Sequence, residues 1–198
     1  MEKEKHIDLS VYQKPKKGNY LCGDSYFYKE TNDSFVCALA DGLGSGEYAK
    51  ESSEAVIDII QQHIDEPVGP LIKKCNESLI GKRGVVLGIL KMDFNTKTYS
   101  FSSIGNIGIM TILSDYRKKR SIPNAGYLGN FSKKFKIATG NLEHGMTFVM
   151  FSDGVHDRDL SAKYFLDKDV QIITECFEVY GAKNRDDDTT LIAIKYYN

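Results

Sequence analysis

The chain has 198 residues, of which 41% are hydrophobic, 27% charged and 11% aromatic, with no Trp. That composition suits one folded domain, expected over 1–198, and excludes disorder, collagen and coiled coil. The 26 Lys and Arg residues are offset by 27 Asp and Glu, so no global basic field exists to grip nucleic acid or an anionic membrane.

In chain order, Ile7 to Gln13 mixes apolar and polar residues as a strand does, and Tyr26 to Tyr28 marks a second. Ser34 to Ala40 is a nearly continuous apolar run, which predicts a strand buried on both faces. The glycine loop Asp41-Gly-Leu-Gly-Ser-Gly46 follows, then a helix in which Val56, Ile57, Ile60 and Ile64 recur at helical spacing. Ala49, Ser52 and Ser53 are small on its first turns, which lets the helix start close to whatever that loop holds. Glu66-Pro67 ends it, and Pro70 to Leu79 predicts a shorter helix. From Arg83 to Leu113 the pattern changes to strands, with turns at Asn95-Thr96 and Gly105-Asn106. Tyr116 to Ile122 predicts an edge strand with its Lys and Arg in water. Ser132 to Thr139 and Met146 to Phe151 continue the sheets, Val170 to Val179 is helical, and Thr190 to Tyr196 is the last strand. A long series of strands between helices predicts an α+β sandwich, not a doubly wound parallel sheet.

Apolar runs such as 85–90 are far shorter than the roughly 20 residues of a spanning helix. The charged start Met1-Glu-Lys-Glu-Lys-His6 lacks the apolar stretch of a secretion signal, so a cytoplasmic location is expected. Cys22, Cys37, Cys75 and Cys176 form no CxxC pair, and His6, His63, His144 and His156 form no HxH or HExxH pair. A disulfide framework and a zinc hydrolase are therefore both disfavoured. Cys37 reads as a small buried hydrophobe.

The chemistry lies in where the acids fall. Asp24 follows Gly23; Asp41 and Asp153 each end an apolar strand and precede a glycine; Asp186 to Asp188 lead into the last strand. Asp-Gly alone is an ordinary turn pair and an acid run an ordinary solvated loop. Repetition of the strand-then-acid pattern is what turns cannot explain. Carboxylates aimed from rigid strand ends at one point must protonate or take a cation, and a hard divalent ion with oxygen ligands resolves the conflict. The glycine run is not GxGxxG and lacks a following GK[ST], and no GxSxG elbow is present.

Cys22-Gly-Asp24-Ser, Ala40-Asp-Gly-Leu-Gly-Ser-Gly46, Ser103-Ile-Gly-Asn106, Ser152-Asp-Gly154 and Asp187-Asp-Thr-Thr190 appear in order along the chain. Together they resemble the motifs of the metal-dependent protein serine/threonine phosphatases, the PPM or type-2C family. The compact length and Gly126-Tyr-Leu-Gly129 point to its small stand-alone bacterial branch in the general stress pathway. The resemblance implies a four-layer αββα sandwich with two Mn²⁺ or Mg²⁺ ions at one end. It implies Asp41 bridging both ions, the Gly42 carbonyl on one, Asp153 and Asp187 on the other, and Asp24 acting through metal-bound water. Asp24, Asp41, Asp153 and Asp187 are thus the expected catalytic set. The DDxT pattern fits Asp186 with Thr189 or Asp187 with Thr190, and Asp187 is taken because Thr190 leads directly into the apolar strand.

Two departures stand out. Leu43 occupies the place of a family His, and no Arg precedes Gly23 to grip phosphate; Lys16 and Lys17 read as turn residues. Leaving-group protonation and phosphate binding thus remain unassigned, and His156 reads either as a general acid or as a turn histidine. Asn106 stands where larger members carry Asp and reads as structural. The implied reaction is direct hydrolysis of phosphoserine or phosphothreonine by metal-activated water, without a covalent intermediate. The implied substrates are phosphorylated STAS-domain proteins of the stressosome, and a monomer is expected. Two other readings are a silent phosphatase-like module that binds a phosphoprotein, and a metal-dependent phosphodiesterase or nuclease. Retention of Asp41, Asp153 and Asp187 weighs against the first, and the near-neutral charge against the second.

Overall fold

The computed structural model describes residues 5–129, 134–167, 169–181 and 186–198. The first sheet has the order β1-β10-β9-β6-β7, built from β1 (Ile7–Lys14), β10 (Thr189–Tyr196), β9 (Thr147–Phe151), β6 (Gly108–Ile112) and β7 (Lys118–Arg120). The second has the order β2-β3-β4-β5-β8, built from β2 (Asp24–Glu30), β3 (Ser34–Gly42), β4 (Val85–Asp93), β5 (Thr98–Ile104) and β8 (Ala138–Asn141). Every ladder is antiparallel. The helices are α1 (Glu47–Gln62), α2 (Val68–Glu77), α3 (Asp157–Leu160) and α4 (Val170–Cys176).

Strand alternation sorts the apolar side chains into layers. Phe35, Cys37 and Leu39 of β3 meet Phe148 and Met150 of β9 and Ile192 and Ile194 of β10 between the sheets. The opposite face of β3, with Val36, Ala38 and Ala40, packs on Val56 and Ile60 of α1 and Leu71 and Cys75 of α2. Val149, Phe151, Leu191 and Ala193 of the first sheet pack on Leu160, Ile173 and Phe177. The result is helix, sheet, sheet, helix. Both faces of β3 are covered, as its unbroken apolar run requires. Truncating a buried anchor such as Ile60 or Phe148 to Ala would cost about 2–5 kcal/mol.

Four expectations are corrected. The edge strand is only Lys118–Arg120, because Leu113 to Tyr116 form a turn, closed by the Tyr116 N–H on the Leu113 carbonyl, and Tyr116 has φ 65°. Its Lys118 does not lie in water: Nζ donates to the Leu160 and Ala162 carbonyls at 2.9 and 3.0 Å. The last helix is α-helical only to Cys176 and widens into a π-turn at Phe177–Gly181. The strand expected over 132–139 begins at Ala138, and residues 132 and 133 lie outside the described residues. Among the described residues, no helix is long and apolar enough to cross a membrane.

Candidate active site

The strand ends gather the acids. β2 begins at Asp24 and β3 carries Asp41 one residue before its end, so antiparallel pairing sets both at one end of the second sheet. Asp153 lies two residues beyond β9, and Asp187 and Asp188 directly precede β10, whose Leu191 is the partner of Phe151. Hydroxyls join the sheets at that end. Ser152 Oγ and Thr190 Oγ1 both donate to Asp24 Oδ2, at 2.8 and 2.6 Å. Asp24 is 1% exposed, and its other oxygen, Oδ1, is buried without a hydrogen-bond partner among the described residues.

The carboxyls respond to this crowding. Burial pushes Asp41 up to about 8, reinforced by the charges of Asp24, Asp153, Asp187 and Asp188. Burial likewise pushes Asp24 up to about 6, opposed by the Thr190 and Ser152 hydrogen bonds and reinforced by Asp188 and Asp153. Asp153 is raised by burial and by Asp187, while the Gly154 N–H and Asn106 hold it down. The Asn106 amide donates to Asp153 Oδ2 at 2.6 Å, so Asn106 orients a site carboxylate. Asp187 is exposed, and its Oδ1 accepts the Asp188 N–H at 2.9 Å.

Asp188 has a different task. It is buried, and its two oxygens accept the N–H groups of Lys16 and Gly23, each at 2.9 Å. It thereby ties the β1–β2 loop to the start of β10. Helix α1 closes on the same end through small residues. Ser53 Oγ donates to the Gly23 carbonyl at 2.7 Å, and a Cβ at Gly42 would lie 2.8 Å from Ala49 Cα. Lys50 Nζ donates to the Asp24 carbonyl and to Ser25 Oγ at 3.0 Å.

The structure thus brings Asp24, Asp41, Gly42, Asp153 and Asp187 to one end of the sandwich. Several uncompensated carboxyls and an orphaned buried oxygen are the donor set a hard divalent cation requires. Among the described residues, no three His, Cys, Asp or Glu side chains form a ready-made metal cage. His156 precedes α3, where its N–H donates to Asp159 Oδ2 at 2.9 Å, so the turn role is the one with a geometric basis. The Cys22 thiol is pushed up to about 12 by burial and then by Asp24, which makes it unfit as a nucleophile at neutral pH. Sequence reasoning missed Ser152, Thr190 and Asp188 as supports, although all three lie inside the quoted motifs.

Comparison with known proteins places the chain in a family. Residues 31–197 match the family described as Stage II sporulation protein E (SpoIIE). Phosphoserine phosphatase RsbX of Bacillus subtilis (strain 168) is 33% identical over 192 residues, covering 97% of this chain and 96% of RsbX. A crystal structure of RsbX in complex with magnesium superposes with a TM-score of 0.89 at 33% identity, covering 98% of each chain. A chain solved in connection with the bacterial stressosome has a TM-score of 0.82 at 23% identity, covering 96% of this chain and 100% of its own. The catalytic domain of the serine/threonine phosphatase PstP with two manganese ions has a TM-score of 0.81 at 12% identity, covering 98% and 99%. At such low identity the last two show a shared fold.

Proposed function

The chain belongs to the SpoIIE family of PP2C-type protein serine/threonine phosphatases, and from that premise we propose that its acidic end holds two Mn²⁺ or Mg²⁺ ions and hydrolyses phosphoserine on stressosome proteins. The observation that carries this reading is the convergence of Asp24, Asp41, Asp153 and Asp187 at one end of the sandwich, where burial, and after it the neighbouring carboxylates, raise Asp24, Asp41 and Asp153. Asp41 would serve both ions, the Gly42 carbonyl would hold one of them, and Asp153 and Asp187 would hold the other. Bound there, the ions supply Lewis-acid polarisation of the phosphoryl group and lower the pKa of water. Because Mg²⁺ and Mn²⁺ retain several waters, a few direct carboxylates per ion suffice.

The chain's own residues prepare the site. Ser152 and Thr190 occupy one oxygen of Asp24, leaving Oδ1 to accept from a water. Asn106 fixes the plane of Asp153. Asp188 fastens the β1–β2 loop that leads into Asp24, and the close seat of Ala49 on Gly42 sets the position of Asp41. Such supports fix direction and exclude alternative rotamers, which matters because a misaligned ligand weakens both affinity and rate.

Phosphorylated STAS-domain proteins are the substrates the resemblance favours, supported by the RsbX relative and the stressosome-associated chain. Phosphate release from a phosphorylated STAS-domain protein, compared with an unrelated phosphoserine protein at equal concentration, tests this. Faster release from the STAS protein is expected; equal rates would leave a phosphatase without the proposed substrate preference.

A further inference from the structure

Beside the acidic end, three loops and the first turn of α1 assemble an exposed patch around one arginine. Leu43, Tyr48 and Tyr127 are 37%, 67% and 42% exposed. Arg83 Nη1 donates to the Leu43 carbonyl at 3.3 Å, and its guanidinium stands 5.5 Å from the centre of the Tyr48 ring. The Arg83 N–H donates to Ser52 Oγ at 3.1 Å, which anchors its loop on α1. Leu128 and Val85 exchange backbone hydrogen bonds at 2.8 and 2.9 Å, and this bridge lays Tyr127 over Gly84. Gly84 must lack a side chain: a Cβ there would meet the Tyr127 ring and lie 2.7 Å from Leu43 Cδ1. The patch begins at Leu43, two residues from Asp41.

Its charge is unbalanced. Neighbouring Lys82 pairs with Glu51, whereas Arg83 has no acidic partner among the described residues. A guanidinium already held by a ring and a carbonyl loses little further freedom on pairing with a carboxylate. Tyr and Arg are also the side chains that most often anchor protein interfaces.

We propose that Leu43, Tyr48, Arg83 and Tyr127 form the docking face for the polypeptide flanking the phosphoserine, with Arg83 pairing with an acidic side chain of that polypeptide. The proposal rests on the phosphatase reading of the neighbouring site. It assigns Arg83 to substrate selection, acting on residues beside the phosphoserine.

The test uses two synthetic peptides with a central phosphoserine, one flanked by Asp and Leu, the other by Lys and Leu. The readout is the ratio of kcat/KM for the two with Mn²⁺. The full chain should prefer the acidic peptide about fivefold, the preference a partly exposed ion pair supplies. Arg83→Gln should bring the ratio near one, and Arg83→Glu should reverse it. Lys82→Gln removes an adjacent charge and should leave the ratio in place. An unchanged ratio in both Arg83 variants, or an equal effect from Lys82→Gln, overturns the proposal. If neither peptide is hydrolysed, the phosphatase reading fails by itself. Docking is then decided by fluorescence polarisation of the labelled peptides in chelator: the same preference and its loss in Arg83→Gln uphold it, and equal binding overturns it.

Discussion

Asp24 and Asp41 are direct partners on one rung of the antiparallel β2–β3 ladder. Like charges placed opposite each other weaken a sheet, and here both are also withdrawn from water. The fold therefore holds a local conflict at the point where its chemistry is proposed, and removing one charge should relieve it.

Asp41→Asn should raise the melting temperature of the chelated protein by a few degrees, equivalent to about 1 kcal/mol, while abolishing turnover. Differential scanning calorimetry in chelator and a phosphate-release assay with Mn²⁺ check both halves. A destabilised variant would mean that Asp41 is not strained by its neighbours.

The same crowding sets a pH dependence. Asp24 and Asp41 are raised from 3.8 to about 6 and about 8, so the native state keeps protons that the unfolded chain has already released. Where the native state binds more protons, stability falls as pH rises. The metal-free protein should thus lose stability progressively between about pH 4 and about pH 8, and Mn²⁺ should restore most of it at the upper end. Melting curves across that range, with and without Mn²⁺, give the answer; a metal-free protein that gains stability toward pH 8 contradicts the assignment.

Adjacent aspartates should fail in different ways. Asp188 is buried and accepts two backbone N–H groups, so Asp188→Ala leaves both orphaned and should destabilise the fold by roughly 2–4 kcal/mol. Asp187 is exposed, so Asp187→Ala should melt near the parent and lose activity. Thermal melts beside activity assays separate them, and the reverse pattern would move the ligand to Asp188.

Thr190→Val keeps the shape of the side chain and removes the 2.6 Å hydrogen bond to Asp24. A loosened supporting carboxylate should weaken Mn²⁺ binding by about 10- to 100-fold. Isothermal titration with Mn²⁺ measures this without relying on turnover, and unchanged affinity would remove Asp24 from the site.

The layered fold and the acidic end were legible because both depend on local pattern. β3 reads as a two-faced apolar run, and Asp24, Asp41, Asp153 and Asp187 each abut a strand, so correct strand ends place them together. What escaped notice depends on contacts distant in sequence. Ser152 reaches Asp24 across 128 positions, and nothing near either residue announces that hydrogen bond. The acid run gives Asp187 and Asp188 the same appearance, and only the approach of the Lys16 and Gly23 N–H groups divides their tasks. Helix α3 spans four residues, too few to show helical periodicity. Lys118 reads as a solvated edge residue until two carbonyls from around α3 close over it.

The gathered carboxylates are proposed to form a metal-dependent phosphatase site. Phosphate release from a phosphoserine protein, followed with Mn²⁺, with chelator, and with Asp187→Asn in Mn²⁺, tests it most directly. Release that requires Mn²⁺ and is lost in Asp187→Asn is the predicted result. Release that persists in chelator, or at the parent rate in Asp187→Asn, would contradict it.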